Sequence, residues 1–391
     1  MNGKITPDIN WSTSTKYTLI TVILFSALAS AVIIFGWIKT WSLLYIPAMH
    51  PPFADMRVIQ GALVSLASGL DPQINNPGDP WGRPMNYPII WVSIANIFRI
   101  ANNTNYLIFV LGGILIFVGC VCSIVYKFPS LWIVATVFSG SNLLLIERGN
   151  NDIFVFCLIY FSVLSYWIWV AAIVIFVAMA LKIYPVFCIA HLRRSLPAIF
   201  VLLVVFAIGS YMDSGELVKI RAATPTGASL SYGSMSLSAA LKKAVHIDVS
   251  YYIIAILHIV LAAYFILNKK YTEILPVRGR DAERQRMFLA GGGVYIGTFM
   301  AAGNWDYRLV FLVLCIPYIL TLVNVYTKYS VLLAIIIASN YLVLARYAGN
   351  IGILLNIGSK SFLAVLFIAL MYHEVSKILL VKRQRIFGLW S

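Results

Sequence analysis

The sequence predicts an all-α polytopic membrane protein, and three observations carry this prediction. The mean hydropathy is +0.88. Charged residues make up 11% of the 391-residue chain, whereas soluble domains contain about 25%. Apolar runs of about 20 residues, the length that crosses a bilayer core, recur from one end of the chain to the other. We therefore expect one integral membrane domain over residues 1–391, a bundle of about 12 transmembrane helices with no separate soluble domain.

The first part of the chain predicts one membrane span and a large loop. Residues 1–16 are polar and contain Lys4 and Lys16, so the N-terminus is expected in the cytoplasm with the first span at 17–38. The first external loop, 39–104, contains an amphipathic helix that starts near Asp55 and ends at Gly69, because its apolar residues fall on one helical face. A second short helix is expected after Tyr87-Pro88.

The remaining apolar runs predict the other spans and a second external loop at 212–249. A short broken hairpin is expected between residues 169 and 193, with its tip at Lys182-Ile183-Tyr184-Pro185, because a proline interrupts helical hydrogen bonding there. The other predicted spans are 105–125, 130–146, 153–169, 196–211, 250–268, 287–302, 309–326, 329–347 and 361–380.

The net charge of +15 fits this topology rather than a nucleic-acid partner. Cations cluster in short loops and near the C-terminus, which is the distribution that keeps such segments in the cytoplasm and predicts both termini there. Anionic membrane lipids are the expected counter-charge. The clusters are Arg193/Arg194, Lys269/Lys270, Arg278/Arg280/Arg284/Arg286 and Lys382/Arg383/Arg385.

The sequence shows no pattern for a metal or a cofactor. The five cysteines lie in apolar segments without zinc-like pairing, and the five histidines lack the spacing of metal ligands. Walker, G-x-G-x-x-G, G-x-S-x-G and H-E-x-x-H motifs are missing from the sequence, which argues against ATP-driven pumping, nicotinamide chemistry and membrane metalloproteases.

Four polar groups from distant parts of the chain are expected to meet at the external membrane face. Ionisable groups at membrane depth are costly and usually line functional cavities. A carboxylate among several cations suits a reaction in which a hydroxyl attacks carbon and a phosphate leaves. The four groups are Asp55, the cluster Glu147-Arg148-Gly149-Asn150-Asn151-Asp152, the segment Lys182-Ile183-Tyr184-Pro185, and the segment Trp305-Asp306-Tyr307-Arg308.

Simpler interpretations remain open for these residues. Asp55 could be the N-cap of the amphipathic helix. Lys182 could extend to a membrane interface, and Trp305 and Tyr307 could belong to the interfacial aromatic belt. The cluster at 147–152 could be a charged turn between two helices.

Three short motifs follow one another along the chain: Asp55-Met56-Arg57-Val58-Ile59-Gln60-Gly61-Ala62 with Leu66, Gly69 and Pro72, then Tyr87-Pro88-Ile89, and then Lys182-Ile183-Tyr184-Pro185. Together they resemble the GT-C membrane glycosyltransferases and are most similar to glycosyltransferase family 87. The resemblance covers roughly the whole chain, although each motif is short. Two departures from the family pattern bear on the identity of the sugar and the acceptor more than on the reaction type: Ile89 replaces a second proline, and Arg148-Gly149-Asn150-Asn151-Asp152 stands where relatives often carry Gly-Gln-x-Asn.

This resemblance implies an inverting transfer from a polyprenyl-phosphate sugar to a lipid-linked or polysaccharide acceptor. The setting would be the outer face of a bacterial cytoplasmic membrane. Asp55 matches the catalytic base and Lys182 would lie near the donor phosphate. Arg148, Arg308 and Tyr184 are further candidates for the phosphate. Candidates for the sugar or acceptor are Glu147, Asn151, Asp152, Tyr87, Trp305, Asp306 and Tyr307.

Two other functions are consistent with the sequence. A polysaccharide polymerase would join whole repeat units from a pyrophosphate carrier. A transporter or flippase of lipid-linked saccharides is less favoured, because transporters often have two related halves and no repeat relates residues 1–195 to 196–391.

Overall fold

A computed structural model describes residues 11–193, 195–225, 227, 229–268, 282–301, 303–323, 332–336, 340 and 349–387. The described residues are mostly helical and form almost no strands, which confirms the all-α prediction. Most of the predicted span at 329–347 lies outside the described residues, as do Arg194, Lys269, Lys270, Arg278 and Arg280.

The N-terminal third contains two long apolar helices separated by the predicted large loop. Few side chains of the first long helix are buried, whereas the loop helices contribute several buried residues to the core. The elements are α1 (Trp11–Phe35), α2 (Trp37–Leu43), α3 (Ala54–Ala67), α4 (Ile90–Ile97) and α5 (Asn103–Lys127).

The middle of the chain consists of shorter helices interrupted by breaks. The elements are α6 (Leu131–Val137), α7 (Gly140–Arg148), α8 (Asp152–Leu164), α9 (Ile168–Leu181), a first 3₁₀ helix (Tyr184–Leu192), α10 (Leu196–Met212) and α11 (Ser214–Ala223).

The C-terminal part adds the one sheet seen in the described residues, a two-stranded antiparallel pair. Ser231 pairs with Trp305 and Tyr232 pairs with Asn304. The elements are β1 (Ser231–Tyr232), α12 (Ser234–Val245), α13 (Tyr251–Leu267), α14 (Ala282–Ala301), β2 (Asn304–Trp305), a second 3₁₀ helix (Asp306–Leu314), α15 (Ile316–Val323) and α16 (Gly349–Phe387).

Among the described residues, α1, α5 and α16 are each long and apolar enough to cross a membrane. The bent pairs α6/α7 and α10/α11, with angles of 44° and 79°, raise this number to five if each pair is one span. These helices are compatible with a membrane protein. The larger number of spans and the orientation in the membrane stay predictions.

Close packing around α14 places the two 3₁₀ helices in the core. Gly293 lies against the carbonyl oxygen of Phe187 in the first 3₁₀ helix, and Gly291 lies against that of Phe311 in the second. A Cβ atom at either position would overlap these oxygens. Small residues therefore let α14 approach both 3₁₀ helices, each of which begins with residues of a predicted site motif.

Several predicted spans are broken in the structure. The span predicted at 130–146 is interrupted at Phe138 and Ser139, where Ser139 has extended backbone and Asn142 donates to the Thr136 carbonyl at 2.7 Å. The helix predicted at 153–169 ends at Leu164 because Ser165 is extended. The helix predicted from 309 begins as 3₁₀ structure at Asp306. The predicted break at Lys182 is present, between α9 and the first 3₁₀ helix.

Candidate functional site

Asp55 lies in the first turn of α3 and is held by a residue from a distant turn. Phe53, in the left-handed conformation with φ 61°, precedes the helix, and no side chain caps it. Asp55 is therefore not the N-cap. Its Oδ2 atom instead accepts a hydrogen bond of 2.6 Å from Nδ2 of Asn150.

A cavity of about 510 Å³ opens beside Asp55. Its apolar wall includes residues from α3, α7 and the segment after α11, and this volume falls within the range of about 300–1,000 Å³ that is usual for small-molecule pockets. The polar and aromatic residues that line it are Asp55, Arg83, Asn86, Tyr87, Arg148, Trp305 and Tyr307.

Arg83 is fixed at the cavity wall by several contacts of the first loop. Its Nε and Nη2 atoms donate to the carboxylate of Asp79 at 3.1 and 3.0 Å, and Nη2 also donates to the Ala54 carbonyl at 2.6 Å. The guanidinium stacks on Trp81 with 4.6 Å to the ring centroid. Its Nη1 atom lies 3.5 Å from Oδ1 of Asp55. Arg83 is thus oriented with one edge of its guanidinium toward the carboxylate of Asp55.

Asn150 occupies the turn between α7 and α8 and connects Asp55 to a buried lysine. Gly149 ends α7 in the left-handed conformation, with φ 55°. The Oδ1 atom of Asn150 accepts from the backbone N–H of Asp152 at 2.9 Å and from Nζ of Lys182 at 3.3 Å. Nδ2 faces Asp55 and lies 3.4 Å from the Tyr87 hydroxyl.

Asp152 is the centre of a buried charge cluster. Its carboxylate forms ion pairs with Lys182 and with Nε of Arg308, the latter at 3.4 Å. The Tyr184 hydroxyl donates to it at 2.8 Å. Two cations therefore share one carboxylate, and the cluster has a surplus of one positive charge. Because Lys182 is only 5% exposed and ion-paired, it does not extend to an interface.

Two packing contacts position Lys182. Trp91 of α4 donates from Nε1 to the carbonyl of Leu181 at 2.9 Å, which holds the end of α9. The Lys182 ammonium lies over the Tyr87 ring, 5.0 Å from its centroid. The proline after the break then starts the 3₁₀ helix that contains Tyr184. The Lys-x-Tyr-Pro motif thus places both of its polar side chains on Asp152.

Glu147 and Arg148 hold the chain just before α3. The Glu147 carboxylate accepts the backbone N–H of Met49 at 2.7 Å and lies 3.3 Å from Nη1 of Arg148. Nη2 of Arg148 donates to the Pro47 carbonyl at 3.0 Å. Glu147 is fully buried, whereas Arg148 lines the cavity.

Asp306 is fully buried and pairs with a lysine that the sequence interpretation did not include. Nζ of Lys360 donates to Asp306 Oδ1 at 2.6 Å, to Asn356 Oδ1 at 2.5 Å and to the Ser231 carbonyl at 3.2 Å. This pair fixes the start of the second 3₁₀ helix, so that the neighbouring Trp305 and Tyr307 line the cavity while Asp306 points inward.

Tyr87 is a buried hydroxyl at the cavity. Burial raises the pKa of Tyr87 well above its usual range, and the nearby charge of Asp55 adds to this rise. The phenol therefore stays protonated at ordinary pH, and its oxygen accepts a hydrogen bond of 3.4 Å from Nδ2 of Asn150.

The structure joins most of the predicted site residues, and it adds three that the prediction lacked. Asp55, Tyr87, Arg148, Trp305 and Tyr307 share the cavity, and Lys182, Tyr184, Asp152 and Arg308 form the adjoining cluster. Glu147 and Asp306 are buried in internal ion pairs. Asn151 is buried, and its amide has no hydrogen-bond partner among the described residues. The three additional residues are Asn150, Arg83 and Lys360.

A signal for one of these residues was present in the sequence. Lys360 is a lone charge within an apolar helix, which is itself a marker of function or pairing. Asn150 belonged to the predicted cluster, but the sequence predicted its neighbour Asn151 as the residue that binds the sugar or acceptor. In the described residues, no group of three His, Cys, Asp or Glu side chains could hold a metal ion.

Comparisons with protein-family models, with curated proteins and with solved structures found no match to this chain.

Proposed function

We propose that the chain is an inverting glycosyltransferase that moves a sugar from a polyprenyl-phosphate donor to a lipid-linked or polysaccharide acceptor. The observation that carries this proposal is the cavity in which the Asp55 carboxylate lies beside two arginines, Arg83 and Arg148. A base next to cations is the combination that such a transfer requires.

The proposed reaction is a single displacement at the anomeric carbon. The acceptor hydroxyl oxygen forms a bond to this carbon from the face opposite the phosphate, and the bond between the carbon and the phosphate oxygen breaks. Asp55 takes the hydroxyl proton. The donor phosphodiester has one negative charge and the departing polyprenyl phosphate gains a second, so nearby cations stabilise the transition state more than the ground state.

Two sets of cations are available for the phosphate. Arg83 and Arg148 line the cavity directly. Lys182 and Arg308 form ion pairs with Asp152 in the adjoining cluster. The surplus positive charge of this cluster is balanced when an anionic phosphate binds nearby. Tyr184 holds the Asp152 carboxylate. Arginine offers two parallel donors to a phosphate, which suits orientation as well as charge.

The aromatic lining supports a sugar as the transferred group. Trp305, Tyr307 and Tyr87 line the same cavity as Asp55. Apolar ring faces pack on the C–H face of a sugar, while hydroxyls fix its orientation. We place this cavity at the outer face of a bacterial cytoplasmic membrane, with both termini in the cytoplasm and the polyprenyl chain in the lipid.

A reconstituted transfer assay tests the proposal. Purified protein in proteoliposomes receives a panel of radiolabelled polyprenyl-monophosphate sugars, with and without extracts that contain glycolipid and glycan acceptors. We expect label to move to acceptor from at least one monophosphate donor. Failure with every monophosphate donor would contradict the proposal.

The same proteoliposomes separate the alternative functions. Movement of intact labelled lipid between leaflets, without acceptor and without transfer, would indicate a flippase. Incorporation only from pyrophosphate-linked repeat units would indicate a polymerase. Either result replaces the glycosyltransferase proposal.

A further inference from the structure

We infer that Asn150 is a positioning residue for Asp55: its side-chain amide binds one carboxylate oxygen and leaves the other directed to the acceptor hydroxyl. This inference rests on the proposed function, because it assigns how the base of that reaction is oriented. Asn150 acts through Asp55 and need not touch the substrate.

The two groups that donate hydrogen bonds to the Asn150 side chain determine how its amide is oriented. Its Oδ1 atom receives the backbone N–H of Asp152 at 2.9 Å and the ammonium of Lys182 at 3.3 Å. An amide nitrogen cannot accept a hydrogen bond, so these two donors define which end is oxygen. Nδ2 must then face Asp55, where the separation is 2.6 Å.

This orientation determines which oxygen of the Asp55 carboxylate is already engaged. The amide N–H of Asn150 requires an acceptor, and Oδ2 of Asp55 fills that role. The other oxygen, Oδ1, lies 3.5 Å from Nη1 of Arg83, at the cavity wall. Oδ1 is therefore the oxygen that can take the proton from an acceptor hydroxyl.

The backbone fixes the distance between the two residues. A Cβ atom at Gly149 would overlap the Cβ atom of Phe53, which is the residue just before α3. The turn before Asn150 and the start of the Asp55 helix are thus in direct contact. Glycine also tolerates the left-handed conformation at this position, with φ 55°. The pair is held by packing as well as by its hydrogen bond.

Other charged and titratable groups also face Asp55. They come from the first loop, α5, α7, the α9 break and the second 3₁₀ helix. Three of them, Tyr87, Lys182 and Tyr307, also bond to Asn150, so a substitution of Asn150 is read against Arg83, Tyr106 and Glu147, which do not. These groups are Arg83, Tyr87, Tyr106, Glu147, Lys182 and Tyr307.

The first test is the pH profile of kcat/KM for Asn150→Asp and Asn150→Ala. Asn150→Asp places a like charge beside Asp55, and Asn150→Ala removes a donor that stabilises its charged form. Both changes are expected to move the acidic limb upward by roughly one pH unit or more, and to lower kcat more than they change KM. The control is Asn142→Ala, which removes a buried asparagine whose amide donates to Thr136, and the limb should not move.

The second test measures ionisation without activity. Protein labelled with ¹³C at the aspartate carboxyl is titrated by infrared difference spectroscopy, and the band that disappears in Asp55→Asn is assigned to Asp55. The midpoint of this band is expected to rise in both Asn150 variants. An unmoved midpoint together with an unmoved acidic limb would overturn the inference.

The two tests keep the inference separate from the proposed function. If wild type transfers no sugar while the infrared midpoint shifts in the Asn150 variants, the proposed function fails and the positioning role stands. If wild type transfers sugar and neither readout shifts, only the inference fails.

Discussion

Arg83 shows how one side chain serves both the first loop and the candidate site. Its contacts with Asp79 and the Ala54 carbonyl hold residues 79–83 against the start of α3. The same contacts leave Nη1 directed at Asp55 and the cavity. A guanidinium oriented in this way can bind a phosphate without further ordering of its side chain.

We predict that Arg83→Gln lowers kcat by about 100-fold or more, because removal of a cation aimed at the growing phosphate charge affects mainly the transition state. Arg83→Lys should recover only part of the rate, since lysine cannot form the planar pair with Asp79. Steady-state kinetics with the identified donor measure both values.

The control for this prediction is Lys242→Gln. Lys242 is an exposed cation that pairs with Asp248 on the surface. Its substitution should change kcat less than about twofold, because exposed ion pairs contribute little. Equal rates for Arg83→Gln and wild type would show that Arg83 only supports the loop.

Sequence reasoning selected Asp55 and Lys182 because each occupies a short motif with a chemical meaning. It named Asn151 rather than Asn150. Adjacent side chains in a turn point in different directions, and the left-handed Gly149 decides which of them faces Asp55. It also missed Arg83, since the proximity of Arg83 to Asp55 depends on the fold of residues 72–84 rather than on periodicity.

At the scale of elements, α11 connects the second predicted external loop to the first. Glu216 accepts the backbone N–H of Ile89 at 2.5 Å and the side-chain amide of Gln73 at 3.1 Å. Lys219 pairs with Asp71 at 2.6 Å. The end of α11 contributes Ala222 and Ala223 to the cavity wall. This wall therefore depends on polar contacts between the two loops.

We predict that Glu216→Ala raises the KM for donor or acceptor several-fold while kcat changes less. The substitution removes the two hydrogen bonds of Glu216 and so loosens one wall of the cavity, but it does not touch the reacting groups. Lys219→Ala, one turn away, is the matched control. Its partly exposed ion pair should contribute at most about 1 kcal/mol, so KM should stay near wild type. Similar KM values for both variants would contradict the prediction.

Lys360 and Asp306 connect α16 to the second 3₁₀ helix through a fully buried pair. We predict that Lys360→Met destabilises the protein by about 3–5 kcal/mol, because Asp306 is left buried without its cation. The double variant Lys360→Met/Asp306→Leu should recover most of this loss, since an apolar pair leaves no buried charge.

Unfolding in detergent, followed by circular dichroism against temperature or denaturant, measures this order of stability. If the single variant is as stable as wild type, or the double variant is less stable than the single one, the pair does not hold these elements together.

For the whole molecule, the apolar runs predicted the helical fold because each long run has only one way to satisfy its backbone in lipid. The exact breaks were harder to predict. The interruption at Ser139 depends on a hydrogen bond from Asn142 to the Thr136 carbonyl, and the 3₁₀ start at Asp306 depends on Lys360 in a distant helix. Neither contact leaves a periodic signal. The break after Leu181 was predictable because Pro185 lies in the segment itself.

The arrangement of charges in the whole site distinguishes Asp55 from the other carboxylates. Four carboxylates and four cations lie together. Cations hold Asp79 and Asp152, whereas Glu147 accepts the backbone N–H of Met49 and lies 3.3 Å from Nη1 of Arg148. Asp55 is oriented instead by an amide and has Arg83 at 3.5 Å. The fold thus leaves one carboxylate available to take a proton at the cavity. The four carboxylates are Asp55, Asp79, Glu147 and Asp152, and the four cations are Arg83, Arg148, Lys182 and Arg308.

The most direct test of Asp55 as the general base is the rate of sugar transfer by Asp55→Asn, compared with the rates of wild type and Asp71→Asn. Asp71 is a partly exposed carboxylate of the same loop and is the control. Loss of the general base should lower kcat by about 100-fold or more in Asp55→Asn, with wild-type thermal stability, and Asp71→Asn should keep the wild-type rate. A folded Asp55→Asn variant that transfers sugar at the full rate would contradict the account.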